Sequence, residues 1–381
     1  MDLTLNEDQD AFGKSVQDAL GRTYTAEFRG NSAASDTGWD PKMYSTLTEI
    51  GLSALTIDED HDGLDAGAGE VYAAMYALGQ NAAIEPFLDG VYLPSWLLRG
   101  NDGAQVDDAL SCLAGGEAIA AVAHAEPGKV WDAAQTTTAA ATGDSVTLSG
   151  TKTGVAHADQ AAWFLVTASG DDGFGVYLVT GDATGITRKD GRTADWTRAS
   201  RVTFADTPAV LLGGAGELGR RVFDDSIARA RIALAAEAVG LMDRSSAITI
   251  GYLKSRKQFG VTLSSFQALV HRASDLYAEV ELARSVALWA TASLERDAEA
   301  GDTDVTATAD DAFVYLAQAA RLVAEEVVQL HGGIGMTFET PISHYAARLT
   351  TIGQSYGGVG AARRRVLKSD SPLQTPSVVR D

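Results

Sequence analysis

Ile227-Ala228-Arg229-Ala230-Arg231-Ile232-Ala233-Leu234-Ala235-Ala236-Glu237-Ala238-Val239-Gly240-Leu241 forms the centre of a long run, residues 222–253, whose apolar side chains recur at helical spacing. Ile227, Ala230, Leu234, Glu237 and Leu241 follow one another at steps of three and four, so they share one face of an amphipathic helix. Two further runs, 264–298 and 303–330, carry the same period. Together they are long enough for a four-helix bundle.

The pattern changes upstream. Between residue 117 and about residue 212, Ser145-Val146-Thr147-Leu148-Ser149-Gly150, Trp163-Phe164-Leu165-Val166, Gly175-Val176-Tyr177-Leu178-Val179 and Arg201-Val202-Thr203-Phe204 are separated by Gly, Asp and Thr turns. Short strands at that spacing predict a β-sandwich or barrel. The first third is helical: Asn6 with Glu7 and Asp8 starts one helix, Asp40-Pro41 another, and 70–78 and 84–98 repeat apolar residues at helical steps, with Pro86 near one start. The reading is an α+β multidomain chain with an N-terminal α-helical domain (1–115), a small central β-barrel or sandwich (116–212), a C-terminal four-helix bundle (213–368) and a disordered tail (369–381).

A net charge of -21 over 381 residues argues against nucleic acid or an anionic membrane surface as the main partner, since both need clustered cations. Cys112 is the only cysteine, so an intramolecular disulfide framework is excluded and a reducing, cytoplasmic setting is expected. The start Met1-Asp2-Leu3-Thr4-Leu5-Asn6-Glu7-Asp8 lacks the basic and apolar parts of an export signal, and no apolar run is long enough to span a bilayer. His124, His157 and His271 are scattered, so no metal is assigned, and His61-Asp62-Gly63-Leu64 reads as a turn.

Two motifs at helix ends carry most of the functional signal. Ser255-Arg256-Lys257-Gln258-Phe259-Gly260 offers a guanidinium fork that grips phosphate oxygens in two places, and Gln329-Leu330-His331-Gly332-Gly333-Ile334-Gly335 offers backbone that an anion can approach closely. Either alone also reads as ordinary helix termination, with Arg256 and Lys257 opposing the negative helix end and Gly260 or Gly332-Gly333 as C-caps. Together they suit the pyrophosphate of a dinucleotide.

With Gln267 opening the next helix, these motifs resemble the acyl-CoA dehydrogenase family, and the likeness extends to about Lys368. Ala125-Glu126-Pro127-Gly128 resembles the family's flavin-side strand and turn, Gly150-Thr151-Lys152 the strand before a second flavin contact, and Ala235 to Leu241 the helix leading to the phosphate motif. The resemblance implies FAD held across a subunit boundary by Arg256, Gln258, Phe259, Gln267, Gln329, Leu330, His331, Gly332 and Gly333. It also implies α,β-desaturation of an acyl-CoA thioester and transfer of electrons to an electron-transfer flavoprotein.

The base that such chemistry needs is missing from both familiar places. Gly357 stands after Tyr356 where a glutamate is usual, and Ala230 stands at the second location, beside Arg231, which the resemblance places at the substrate. Glu237, inside the apolar stripe, is the candidate base, because desolvation raises a carboxyl pKa toward a useful range. The other reading pairs it with Arg272 or Arg284 of a neighbouring helix. Ala125, Gly154, Ala156, Val359 and Ala361 replace residues with which the family usually touches the flavin, whereas Arg256, Phe259, Gln329, Gly332 and Gly333 are kept. That asymmetry suggests an α2β2 heteromer in which this chain lends phosphate contacts to FAD seated in a similar partner; a non-catalytic subunit and an oxidase-like relative using oxygen are the other readings.

Overall fold

Asn6 and Gln9 cap the first helix reciprocally: Asn6 Oδ1 accepts the Gln9 N–H at 2.9 Å and Gln9 Oε1 accepts the Asn6 N–H at 3.0 Å. The computed structural model describes residues 3–21, 23–143, 145–300, 305–337 and 340–368, so the tail at 369–381 lies outside the described residues. The N-terminal helices are α1 (Glu7–Gly21), α2 (Ala26–Ala34), α3 (Pro41–Glu49), α4 (Ala68–Gln80), α5 (Leu93–Leu98) and α6 (Ala104–Ala114). Asp40 caps α3, its carboxylate accepting the Met43 N–H at 2.7 Å, with Pro41 in the first turn where its missing N–H costs nothing. The expected helix over 84–98 is instead a π turn, Leu88–Tyr92, running into α5. Pro94 has no N–H to return to the preceding turn, and the wider turn accommodates it.

The strands are β1 (Ala120–Ala123), β2 (Thr138–Thr142), β3 (Ser145–Ala156), β4 (Trp163–Gly170), β5 (Gly173–Thr180), β6 (Ile186–Arg192) and β7 (Arg198–Leu212). They pair in the order β1-β4-β2-β3-β7-β5, and β4 also pairs with β5, which closes the sheet into a barrel. β4 is buried on both faces: Phe164, Val166 and Ala168 fill the barrel, while Trp163 and Leu165 join the helical core.

The bundle consists of α7 (Glu217–Ser255), a hairpin β8 (Lys257–Gln258) with β9 (Val261–Thr262), α8 (Gln267–Ala300), α9 (Val305–His331), α10 (Ile342–Ile352) and α11 (Gly358–Val366). The expectation of an amphipathic α7 needs correction. From Ala230 to Met242 every residue is buried, because α4, α5, α8, α9, α10 and the barrel surround it. The crossing with α4 is very close. A Cβ on Gly79 would press on the Glu237 carbonyl oxygen, and one on Gly240 on that of Tyr76.

A buried polar network ties the three parts together. The Arg29 guanidinium donates to Ala82 O at 2.8 Å, His344 Nδ1 at 2.9 Å and Asp195 O at 3.3 Å. Burial, with Arg29 beside it, pushes His344 down to about 4, so the neutral ring accepts from the guanidinium. Nearby, the Tyr24 hydroxyl donates to Glu85 Oε2 at 2.9 Å while Glu85 Oε1 is buried without a partner, and burial lifts this carboxyl to about 7.

Two predictions test this packing. Gly240→Ala should destabilise the chain by roughly 1–3 kcal/mol in urea titrations, because backbone rather than a movable side chain opposes the new methyl. Gly251→Ala, exposed on the same helix and facing open space, should be neutral or stabilising by up to about 1 kcal/mol. Glu85, raised in the folded state, contributes stability that is complete below its unfolded pKa near 4.5 and is lost as pH rises through about 7. Glu85→Gln should therefore flatten the fall in unfolding free energy between pH 5 and pH 8 by up to about 3 kcal/mol.

Candidate functional site

Two regions concern the chemistry. The first is a cleft of about 790 Å3 between the barrel and the bundle, bounded by His124, Ala125 and Trp131 on one side and by Ile227, Arg348 and the Gln354–Gly357 segment on the other. Its barrel wall is pinned from beneath. Lys152, fully buried, donates to Glu126 Oε1 at 3.0 Å, to His124 O at 3.1 Å and to Gln135, and burial pulls its pKa down to about 8. The Glu126 carboxylate also accepts the N–H groups of Thr136 and Thr137, each at 2.7 Å. His124, driven down to about 3 by burial, donates from Nε2 to Trp131 O at 3.0 Å and stacks on Phe223 with centroids 4.4 Å apart.

Trp131 fixes what residue 357 can be. Gly357 is left-handed (φ +87°), and a Cβ there would come within 2.5 Å of the Trp131 ring. The indole therefore occupies the space into which a glutamate side chain would have to project.

Each carboxylate nearby has at least one partner. Asp89 accepts the Tyr356 hydroxyl at 2.6 Å. Asp195 accepts from Thr193, from Thr351 at 2.8 Å, Thr197 at 3.0 Å and Arg348 at 3.1 Å; burial alone would raise it, but these partners hold it well below the usual range. Glu237 is 5% exposed, and both its oxygens are taken by Arg348, at 2.6 Å from Nε and 2.9 Å from Nη2. Its partner is thus neither Arg272, which pairs with Glu326 at 2.6 Å, nor Arg284, which lies 3.3 Å from Asp243. Those two cations sit on α8, whereas Glu237 points toward α10. Arg231, expected at the substrate, is 2% exposed; it donates to Asp310 and the Tyr356 carbonyl, its Nε is buried without a partner, and it lies 5.3 Å from the Phe313 ring centre.

The second region is an exposed corner at the end of the bundle. Tyr252 of α7 stacks on His331 of α9 with centroids 4.5 Å apart, which brings the two helix-end motifs together. Arg256, Gln258, Phe259, Gln267, Gln329, Gly332 and Gly333 all reach solvent there. Leu330 and His331 do not: their side chains face inward, and His331 Nδ1 donates to Val327 O at 2.8 Å. Gly332 ends α9 with φ +66°, as a helix C-cap does. Gly333 has no positive φ and open space at its Cβ position, so nothing within the chain itself demands a glycine there. The arrangement fits a diphosphate: a cationic fork and bare backbone at one accessible corner.

Residues that sequence reasoning missed are Trp131 as the filler at 357, Asp195, Glu85 and Arg348. Arg348 did leave a signal, as the one Lys or Arg in the apolar stretch that became α10. Among the described residues, no group of three or more His, Cys, Asp or Glu is placed to hold a metal ion, and no helix is long and apolar enough to cross a membrane.

Residues 217–368 match the family model described as the acyl-CoA dehydrogenase C-terminal domain. Acyl-CoA dehydrogenase FadE27 of Mycobacterium tuberculosis is 27% identical over 392 residues, covering 96% of this chain and 98% of that protein. A solved structure described as a Tcur3481-Tcur3483 steroid ACAD variant is 29% identical, with a TM-score of 0.87 over 96% of this chain and 98% of its own. The ChsE4-ChsE5 complex of M. tuberculosis shares the fold at 24% identity, with a TM-score of 0.87 over 99% of this chain and 100% of its own. Residues 217–368 thus carry an acyl-CoA dehydrogenase C-terminal domain, and over nearly its whole length the chain is similar to acyl-CoA dehydrogenases, oxidoreductases that act on a CH–CH bond.

Proposed function

We propose that this chain is the cofactor-completing subunit of a heteromeric, FAD-dependent acyl-CoA dehydrogenase, and that its own cleft does not turn over. FAD bound by a partner chain would supply the hydride acceptor for α,β-desaturation of an acyl-CoA. This chain's part is to hold the diphosphate, with the Arg256 fork, the Gly332-Gly333 backbone and flanking contacts from Gln258, Phe259, Gln267 and Gln329. One observation carries the reading: neither usual base position nor Glu237 offers a free carboxylate. Gly357 is walled by Trp131, Ala230 has no carboxyl group, and Glu237 is clamped at both oxygens.

A base must present a lone pair to the α-proton, and both Glu237 oxygens already accept from Arg348. Freeing Glu237 would leave Arg348 half-paired in the interior, a cost of several kcal/mol. The two-chain name of the 29% identical structure supports a heteromer, and its description as a steroid enzyme supports a bulky acyl group.

The test is to purify the chain alone and co-expressed with a second acyl-CoA dehydrogenase-like chain. The chain alone should be colourless, and the pair should be yellow and bleach anaerobically with an acyl-CoA. In the pair, Arg256→Ala should weaken FAD retention about 10- to 100-fold, the worth of a lost charged hydrogen-bond pair, while Glu237→Gln should leave bleaching intact. Stoichiometric FAD and acyl-CoA bleaching by the chain alone would overturn the proposal.

A further inference from the structure

Beyond Arg348, between α4, the π turn and α7, lies a chamber of about 50 Å3 that shares Asp89, Ala156, Thr197 and Arg348 with the cleft as walls. Glu85 and His157 line it as well, only 7% and 4% exposed. Each carries a buried polar atom without a partner: Glu85 Oε1, whose other oxygen accepts from Tyr24, and His157 Nδ1. An unmet donor or acceptor in the interior costs about 1–3 kcal/mol, so such atoms are rare and need a reason. The backbone at His157 is also left-handed (φ +52°), uncommon for a residue with a side chain, so its ring is held just past β3 at a further cost.

We propose that this chamber is a water site, in which ordered water bonds to Glu85 and His157 and carries the Glu85 proton to and from the cleft. A buried water needs about 10–15 Å3 and two to four polar partners, and the chamber supplies both. The chemistry of the two side chains selects this occupant. Glu85 Oε1 accepts when ionised and can donate when protonated, and the ring nitrogen does either according to its tautomer. Water, donor and acceptor at once, answers every combination.

The surrounding charges explain why Glu85 has a proton to carry. The groups that face it are Tyr24 and Arg29 from the N-terminal helices, Asp89 from the π turn, His157, Glu237 from α7 and Arg348 from α10. Arg348 is committed to Glu237 and Asp195, and Arg29 to Ala82 O, His344 and Asp195 O. Burial lifts Glu85 to about 7 and lowers His157, so near neutrality the carboxyl is the group that titrates. On ionisation it passes its proton to the water, which releases one on the cleft side. The carboxylate remains and the water is unchanged.

The test follows the carbonyl stretch of protonated Glu85 by infrared difference spectroscopy of the full-length chain at about pH 6, with Glu85→Gln to identify the band. After transfer to D2O, water-connected Glu85 should exchange its proton at least about 100-fold faster than the slowest backbone amides of α7, which exchange only on unfolding. Ala156→Leu, which adds bulk to the wall between chamber and cleft, should slow that exchange by at least about tenfold while the amide rates stay put. A crystal structure should show water within hydrogen-bond distance of Glu85 and His157.

No band at pH 6, exchange no faster than those amides, or a crystal without water at these residues overturns the site. A folded Ala156→Leu chain that exchanges as fast as the wild type overturns the route through the cleft. Should that variant fail to fold, the wild-type rates and the crystal decide. Flavin content and turnover do not enter the readout, so the result stands apart from the subunit reading.

Discussion

A helix enclosed on every side cannot carry a charge without a partner waiting in the neighbouring element, and the enclosed stretch of α7 carries two, Arg231 and Glu237. Each is answered from a different helix. Asp310 on α9 meets Arg231, and Arg348 on α10 meets Glu237. Buried pairs of this kind add little net stability over an apolar replacement, yet losing one partner costs several kcal/mol, so they act chiefly on which arrangement of helices is allowed. Around α7 they fix the positions of α9, α10 and, through the Tyr356 carbonyl, the segment that carries Gly357. Asp195 and Arg29 extend the same constraint to the barrel and the N-terminal helices.

The same helix separates the two functional regions. At 39 residues α7 is roughly 58 Å long, with the cleft beside its middle and the corner at its C-terminal end. Trp131 against Gly357 and Arg348 on Glu237, the contacts that shape the cleft, lie several helical turns from Arg256. Substitutions at one region can therefore leave the other unaltered, because no side chain belongs to both.

Much of this was legible from residue patterns. The order of helices, strands and helices follows from the change of period, and the four strand segments quoted all fall within β3, β4, β5 and β7. What the pattern hid has physical causes. β2 is the exposed stretch Thr138–Thr142, with no apolar alternation to betray it, and β6 is largely exposed as well. Closure into a barrel depends on β4 reaching β5 on one edge and β1 and β2 on the other, long-range facts that no local period encodes. α7 was misread as amphipathic because small alanines dominate its buried turns, so the stripe through Ile227 and Leu241 is real but faces no solvated opposite side. The partner of Glu237 lies 111 residues away on a short helix, beyond the reach of spacing rules.

The corner keeps one feature that makes no sense for an isolated chain. Phe259 and Gly260 form the two-residue turn of the β8–β9 hairpin with φ of +53° and +82°, a conformation for which Asn-Gly is the usual choice. Phenylalanine there is strained by about 1–3 kcal/mol, and its ring is 90% exposed, with Phe266 edge-on to it at a centroid distance of 6.2 Å. Neither the strain nor the exposed ring stabilises this chain. Burial of the ring by another surface would offset that cost, and the ring stands in the same hairpin as Gln258, three residues after Arg256. The strained turn, the exposed ring and the cationic fork thus share one solvent-facing corner, the place where the proposed partner's cofactor would be held.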